Sequence, residues 1–251
     1  MFKHLSIKIK KMKFFNWTNI RLMLMIAVVI FLYSFTSYRN EHRKIKKTEV
    51  VFVGENTLFL KSEMVNKLLI EKNQDLKTIN KVDLDLKKLE ASINKQEMIQ
   101  KADVFVSVDG VLKAVVKQKT PVGRVFDEVG SFYIDYEGNK MPLSDNYTAR
   151  VPLLSGEITV VKKEKLSEVL RMINEDEFLK KNIIGVQVLP NGSLVMANRN
   201  YDFQIDFGRT INIEKKFKNY KAFFQKAVSD STLNKYKRIN LKFTKQVVCI
   251  K

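Results

Sequence analysis

Apolar residues along this chain fall into three patterns: one unbroken run, stretches spaced for amphipathic helices, and alternating segments. From Leu22 to Tyr33 twelve consecutive positions are apolar, and between Ile20 and Tyr38 the only charge is Arg21. As a helix this segment extends about 28 Å, close to the hydrocarbon thickness of a bilayer. Lysines crowd both flanks, and Trp17, Tyr33 and Tyr38 stand where interfacial aromatics sit. A core helix of a soluble protein would show a polar face, which this run lacks. A cleaved signal would carry small residues just after the apolar core, where the chain reads Tyr33-Ser34-Phe35-Thr36-Ser37-Tyr38. The expectation is a basic tail over 1–19, an uncleaved transmembrane helix over 20–38 and a juxtamembrane linker over 39–47.

Beyond the linker, Glu49–Val53 has the composition of a strand, closed by a turn at Gly54-Glu55-Asn56. Ser62 is placed to cap a helix with Val65, Leu68 and Leu69 on one face. Asp83 is placed to cap a second, with Leu84, Leu86, Leu89 and Ile93 as its buried stripe and Asn94-Lys95 at its end. "ADVFVSVDGVLKAVVKQKTP" alternates on both sides of Asp109-Gly110, a strong hairpin signal, and Pro121 is expected to end the second arm. Residues 48–122 thus read strand-helix-helix-strand-strand. From 123 to 251 strands dominate, with hairpins about Glu137-Gly138-Asn139 and Pro190-Asn191-Gly192 and further strands in "YDFQIDF", "RINLKF" and "QVVCI". Two helices interrupt them, one built on Leu166, Val169, Leu170 and Ile173, the other on Ile213, Phe217, Tyr220 and Phe224. The fold class is α+β, with a single membrane helix and a mainly antiparallel C-terminal sheet.

The net charge of +18 suggests nucleic acid until it is divided along the chain. Residues 1–47 hold eleven basic residues and one acid, so most of the surplus flanks the membrane span, and no basic block marks a nucleic-acid groove. The short tail and a slight excess of Lys and Arg before the span favour a cytoplasmic N-terminus, with the bulk of the chain outside the cytoplasm. A lone cysteine, Cys249, rules out an internal disulfide, and the only histidines, His4 and His42, flank the span. No His-assisted triad, thiolate metal cage, P-loop or G-x-S-x-G elbow is present, so no enzyme, metal or cofactor is expected. Asp135 and Glu137 share a strand face, but "DYEGNK" reads as a hairpin turn with solvated acids, and Glu175-Asp176-Glu177 as a helix start. Three glycosylation-like sequons, at Asn16, Asn146 and Asn191, are too short to weigh, and Cys249 reads as a small apolar filler.

Backbone chemistry remains. A sheet that ends in an unpaired strand can bind another chain by strand addition, and "KRINLKF" and "KQVVCIK" are apolar segments guarded by lysines. The same patterns also suit ordinary core strands. As an edge they make Ile239, Asn240, Leu241, Lys242, Phe243, Gln246, Val247 and Val248 candidate partner-binding residues.

The order of these pieces resembles the bacterial cell-division FtsQ/DivIB family, whose first module is a POTRA domain. "VVFVGENTLF", "VDLDLKKLEASI" and "ADVFVSVDGVLKAVVKQKTPVGRVF" match that module's strand, second helix, hairpin and exit, with Gly123 where the family's closing motif carries Ala. "FYIDYEGNKM" resembles the hairpin opening the second domain. "YKRINLKFTKQVVCIK" resembles its closing strands, with Asn240 in place of an Asp and Lys242 in place of an Arg. The resemblance implies a POTRA domain over 48–122 and a C-terminal β domain over 123–251. It also implies a non-enzymatic inner-membrane scaffold at the division septum, binding partners of the FtsB/FtsL type through its C-terminal strands. Rival readings are a POTRA-type envelope assembly or secretion module and an anchored envelope hydrolase using Asp135 or Glu137.

Overall fold

The computed structural model describes residues 17–41, 44–54, 57–70, 84–127 and 130–251. The tail over 1–16, His42, the turn residues Glu55-Asn56 and the expected cap Asp83 lie outside them. The apolar run forms α1 (Trp17–Glu41), long and apolar enough to span a bilayer, and its most apolar window is entirely unburied. Within it the Thr36 hydroxyl donates back to Leu32 O at 2.8 Å, so the polar group is satisfied inside the helix.

A three-stranded sheet follows, built from β1 (Lys47–Val53), β2 (Ile99–Val106) and β3 (Val111–Gln118) in the order β1-β3-β2. β1 runs parallel to β3, a pairing that needs a crossover, and α2 (Ser62–Ile70) and α3 (Leu86–Asn94) supply it. Alternation sends Ala102, Val104, Leu112, Ala114 and Val116 to one face, where they pack on Val65, Leu69, Leu89 and Ile93. α3 is capped by Asp85, whose carboxylate accepts from Lys88 N at 3.0 Å. The β2–β3 turn places Gly110 at φ 82, which suits glycine, as its Asp-Gly sequence requires. Ile45 is buried in the same core, so the chain after α1 joins this unit two residues before β1.

The larger sheet has nine strands in the order β12-β11-β10-β9-β8-β7-β4-β5-β6. β4 (Pro121–Asp127), β5 (Gly130–Asp135), β6 (Lys140–Met141) and β7 (Leu153–Gly156) precede the helices α4 (Lys163–Glu175) and α5 (Glu177–Asn182). β8 (Ile183–Val188), β9 (Leu194–Asn198) and β10 (Gln204–Gly208) then lead to α6 (Ile213–Ser229), β11 (Arg238–Asn240) and β12 (Val248–Ile250). Five joins are antiparallel and three parallel, so the sheet is mixed with an antiparallel majority. One rung crosses it from Val125 through Leu154, Val186, Met196, Ile205 and Ile239 to Cys249. That apolar row lies in one core with Leu166, Val169, Leu170 and Ile173 of α4 and Phe217 and Tyr220 of α6. Pro121, expected to end a strand, instead opens one: β3 stops at Gln118, and a first strand residue loses little by lacking an N–H.

The two sheets meet at a seam. Phe59, from the loop between β1 and α2, packs with Tyr133 and Met141 of the larger sheet, and its carbonyl accepts from Ser144 Oγ at 2.6 Å and Asn146 Nδ2 at 3.2 Å. On the other side of that loop Gln118 is 1% exposed. Its Oε1 accepts from Phe59 N at 3.0 Å and Leu60 N at 3.2 Å, and its Nε2 donates to Thr57 O at 3.3 Å. The Gln118→Leu substitution keeps the volume and strands both N–H groups. At about 1–3 kcal/mol for each orphaned buried group, it should cost about 2–6 kcal/mol in urea unfolding followed by far-ultraviolet circular dichroism. An unchanged midpoint would show that this loop does not need the amide.

Candidate partner interface at the C-terminal sheet edge

β11 lies between β10 and β12, and among the described residues β12 has a strand neighbour on one side only. Of the two segments expected to form an edge, "QVVCI" therefore provides it, whereas "RINLKF" is interior and forms a strand only over Arg238–Asn240. β11 runs parallel to β10: Lys237 O accepts from Gln204 N, and Leu241 N donates to Asp206 O, both at 2.9 Å. Backbone groups alternate along a strand, so Arg238 and Asn240 face β12, where they register with Ile250 and Val248. Cys249 then directs its own N–H and C=O away from β11, toward the open side.

The candidate side chains divide by face. Ile239 and Leu241 are fully buried in the core, and Val247 packs partly against it. Asn240 is half-buried and its Oδ1 accepts from Lys242 N at 3.0 Å. Lys242, Phe243, Gln246 and Val248 are exposed, with Phe243 at 52%. Ile250, absent from the expected set, is 50% exposed and shares the helix-free face with Val248; the alternation Val248-Cys249-Ile250 contained that signal.

The edge is held in register by groups that strand patterns do not show. Arg238 reaches both oxygens of buried Asp206, at 2.9 and 2.8 Å, and so fixes the parallel β10–β11 pair from the helix-free face. The segment between β11 and β12 is tied to α6 by Asn219 Nδ2, which donates to Thr244 O at 3.1 Å. Residues 237–251 carry five basic side chains and no acid, so the edge is positive. Burial raises the pKa of the half-buried Cys249 thiol, which fits a packing role and disfavours a thiolate.

Asp135 and Glu137 line one small pocket together with Gln100 and Lys119. The turn expected at "DYEGNK" is present, but Asp135 is buried rather than solvated. One carboxylate oxygen accepts from Glu137 N at 3.0 Å and Asn139 N at 2.7 Å, while the other faces Lys119 Nζ at 3.1 Å. That carboxylate is committed to shaping the turn and joining it to the seam. Asp176 caps α5 by accepting from Leu179 N, as the charge cluster there implied. Among the described residues no group of three or more His, Cys, Asp or Glu side chains stands together.

Below the edge, Lys216 of α6 is almost wholly buried, and its ammonium donates to Phe207 O at 2.9 Å and Arg209 O at 2.7 Å. Burial pulls its pKa below the usual 10.5. Between the lowered value and the usual one the unfolded chain holds more protons than the folded one, so this lysine makes stability rise with pH across that window. Urea unfolding across this alkaline window should show the unsubstituted chain gaining stability relative to Lys216→Met. Parallel pH profiles would contradict the burial penalty.

The profile of a family described as FtsQ/DivIB, C-terminal related, matches residues 120–250, just over half of the 251-residue chain. A comparison with curated proteins gave no match.

Proposed function

We propose, from the premise that the chain belongs to the FtsQ/DivIB family of non-enzymatic cell-division proteins, that it is a single-pass scaffold of the division machinery that captures a partner by strand addition at β12. The observation that carries this reading is the place of β12 at one of the two ends of the nine-stranded sheet, where alternation along the strand turns the Cys249 backbone away from β11. In this reading α1 holds the protein in the inner membrane at the septum, with its tail in the cytoplasm and both sheets outside it. The three-stranded unit serves as the POTRA module, and the partners are membrane proteins of the FtsB/FtsL type. Val248, Ile250 and Phe243 give the incoming strand apolar contacts. The five basic side chains favour a partner segment carrying acidic residues, and salt should weaken the complex.

Leu241 is a poor probe of this edge, because its side chain is core and its loss would unfold the sheet. Cys249 is a better one. Cys249→Pro removes the outward N–H, whereas Cys249→Val keeps it and fills the same half-buried position. Copurification of other membrane proteins of the division site should be lost with proline and retained with valine, while circular dichroism shows both variants folded. A proline variant that still captures them would end the strand-addition reading, even if a fluorescent fusion of the parent chain gathers at the septum.

A further inference from the structure

The connection from α1 to the three-stranded unit is short and tied down. α1 ends at Glu41, and by Lys44 the chain has entered a bridge. Ile45 is 1% exposed, Lys46 N donates to Gly110 O at 2.8 Å, and Lys47 pairs with Val111. A Cβ on Gly110 would lie 2.8 Å from Lys44 O, so the β2–β3 turn rests on this backbone. Three steps of about 3.8 Å separate the Cα atoms of Glu41 and Lys44, which allows at most about 11 Å between helix end and sheet. The 25 residues of α1 extend about 38 Å against a hydrocarbon core of about 30 Å, so its last turn reaches the headgroup layer. The turn over 107–110 is therefore confined near the bilayer surface on the side where α1 emerges.

Its composition suits that position. Val108 at the tip is 77% exposed, and Lys44, Lys46 and Lys47 beside it are exposed, with Arg39 in the last turn of α1. Glu49 is engaged by Lys47 at 3.9 Å and Lys113 at 3.6 Å, which leaves Asp109 as the acid at the tip itself. An apolar tip with lysines around it matches what seats on an anionic interface.

We propose that Val108 with Lys44, Lys46 and Lys47 forms a foot that rests on anionic phospholipid headgroups, so that the three-stranded unit stands on the bilayer in a fixed attitude instead of swinging from its anchor. The proposal uses α1 as a membrane anchor and holds for either orientation of the chain, and it is independent of the β12 edge. In the full chain carrying Cys249→Ser, a fluorophore attached at Val108→Cys would be read in nanodiscs containing headgroup-spin-labelled lipid. The discs hold phosphatidylcholine alone or a mixture with phosphatidylglycerol. A label at Asn191→Cys, in the β8–β9 turn, serves as the distant control.

Quenching at position 108 should be roughly twofold or more stronger in the anionic discs, should fall with added salt, and should be lost when Lys44, Lys46 and Lys47 are all replaced by Glu. Position 191 should show none of this. Quenching that is absent, or equal in both lipids and indifferent to salt, would overturn the proposal, because the covalent tether alone could produce proximity without recognition. The salt series on the lysine-bearing chain keeps the test decisive if the triple variant misfolds.

Discussion

A sheet that does not close on itself leaves a row of backbone N–H and C=O groups at each end, and the rest of this molecule is arranged around how those two ends are treated. At one end β6 is two residues long and is stopped by Pro142; the chain beyond it turns to the Phe59 loop, where Ser144 and Asn146 bond its carbonyl. At the other end β12 has three residues and, among the described residues, no further strand beyond it, and strand alternation turns the Cys249 backbone outward. One end is used for internal joining. The other carries no strand beyond β12 among the described residues.

That division explains where the polar groups are buried. Gln118, Asp135, Asp206 and Lys216 are all nearly inaccessible, and each is bound to backbone or to an opposite charge at a place where two elements must hold a fixed relation. Gln118 and Asp135 stiffen the seam between the sheets, and Asp206 and Lys216 stiffen the strands beneath the open edge. Asp135 lines a small pocket with Lys119 and Glu137, but its oxygens are already held by the turn backbone and by Lys119. The β12 edge thus belongs to a sheet whose neighbouring strands are pinned by buried polar groups.

Much of this was legible in the residue pattern. The apolar run, the Asp109-Gly110 hairpin, the helical stripes of α4 and α6 and the strands β8, β9 and β10 are local signals, and each appears where the periodicity placed it. β7 was not foreseen, because four residues ending at a glycine carry too little alternation. α5 was seen only as a charge cluster, since its six residues have little room for a stripe. The interior place of β11 was hidden for a different reason. Its partner on one side is β10, joined in parallel across the whole of α6, and sheet order of that kind is a tertiary fact that no local spacing records. Buried Asp135 was misread as solvated because its partner, Lys119, comes from the neighbouring segment rather than from the turn itself.

The account rests most heavily on the direction of a single peptide group. Amide hydrogen exchange resolved at Cys249, in the full chain with and without its copurifying membrane partners, tests that directly. Partner binding should slow exchange at Cys249 sharply and change Val248 and Ile250 little, since β11 already engages their backbone. Equal exchange at Cys249 in both states, with a complex demonstrably present, would mean that the partner binds elsewhere.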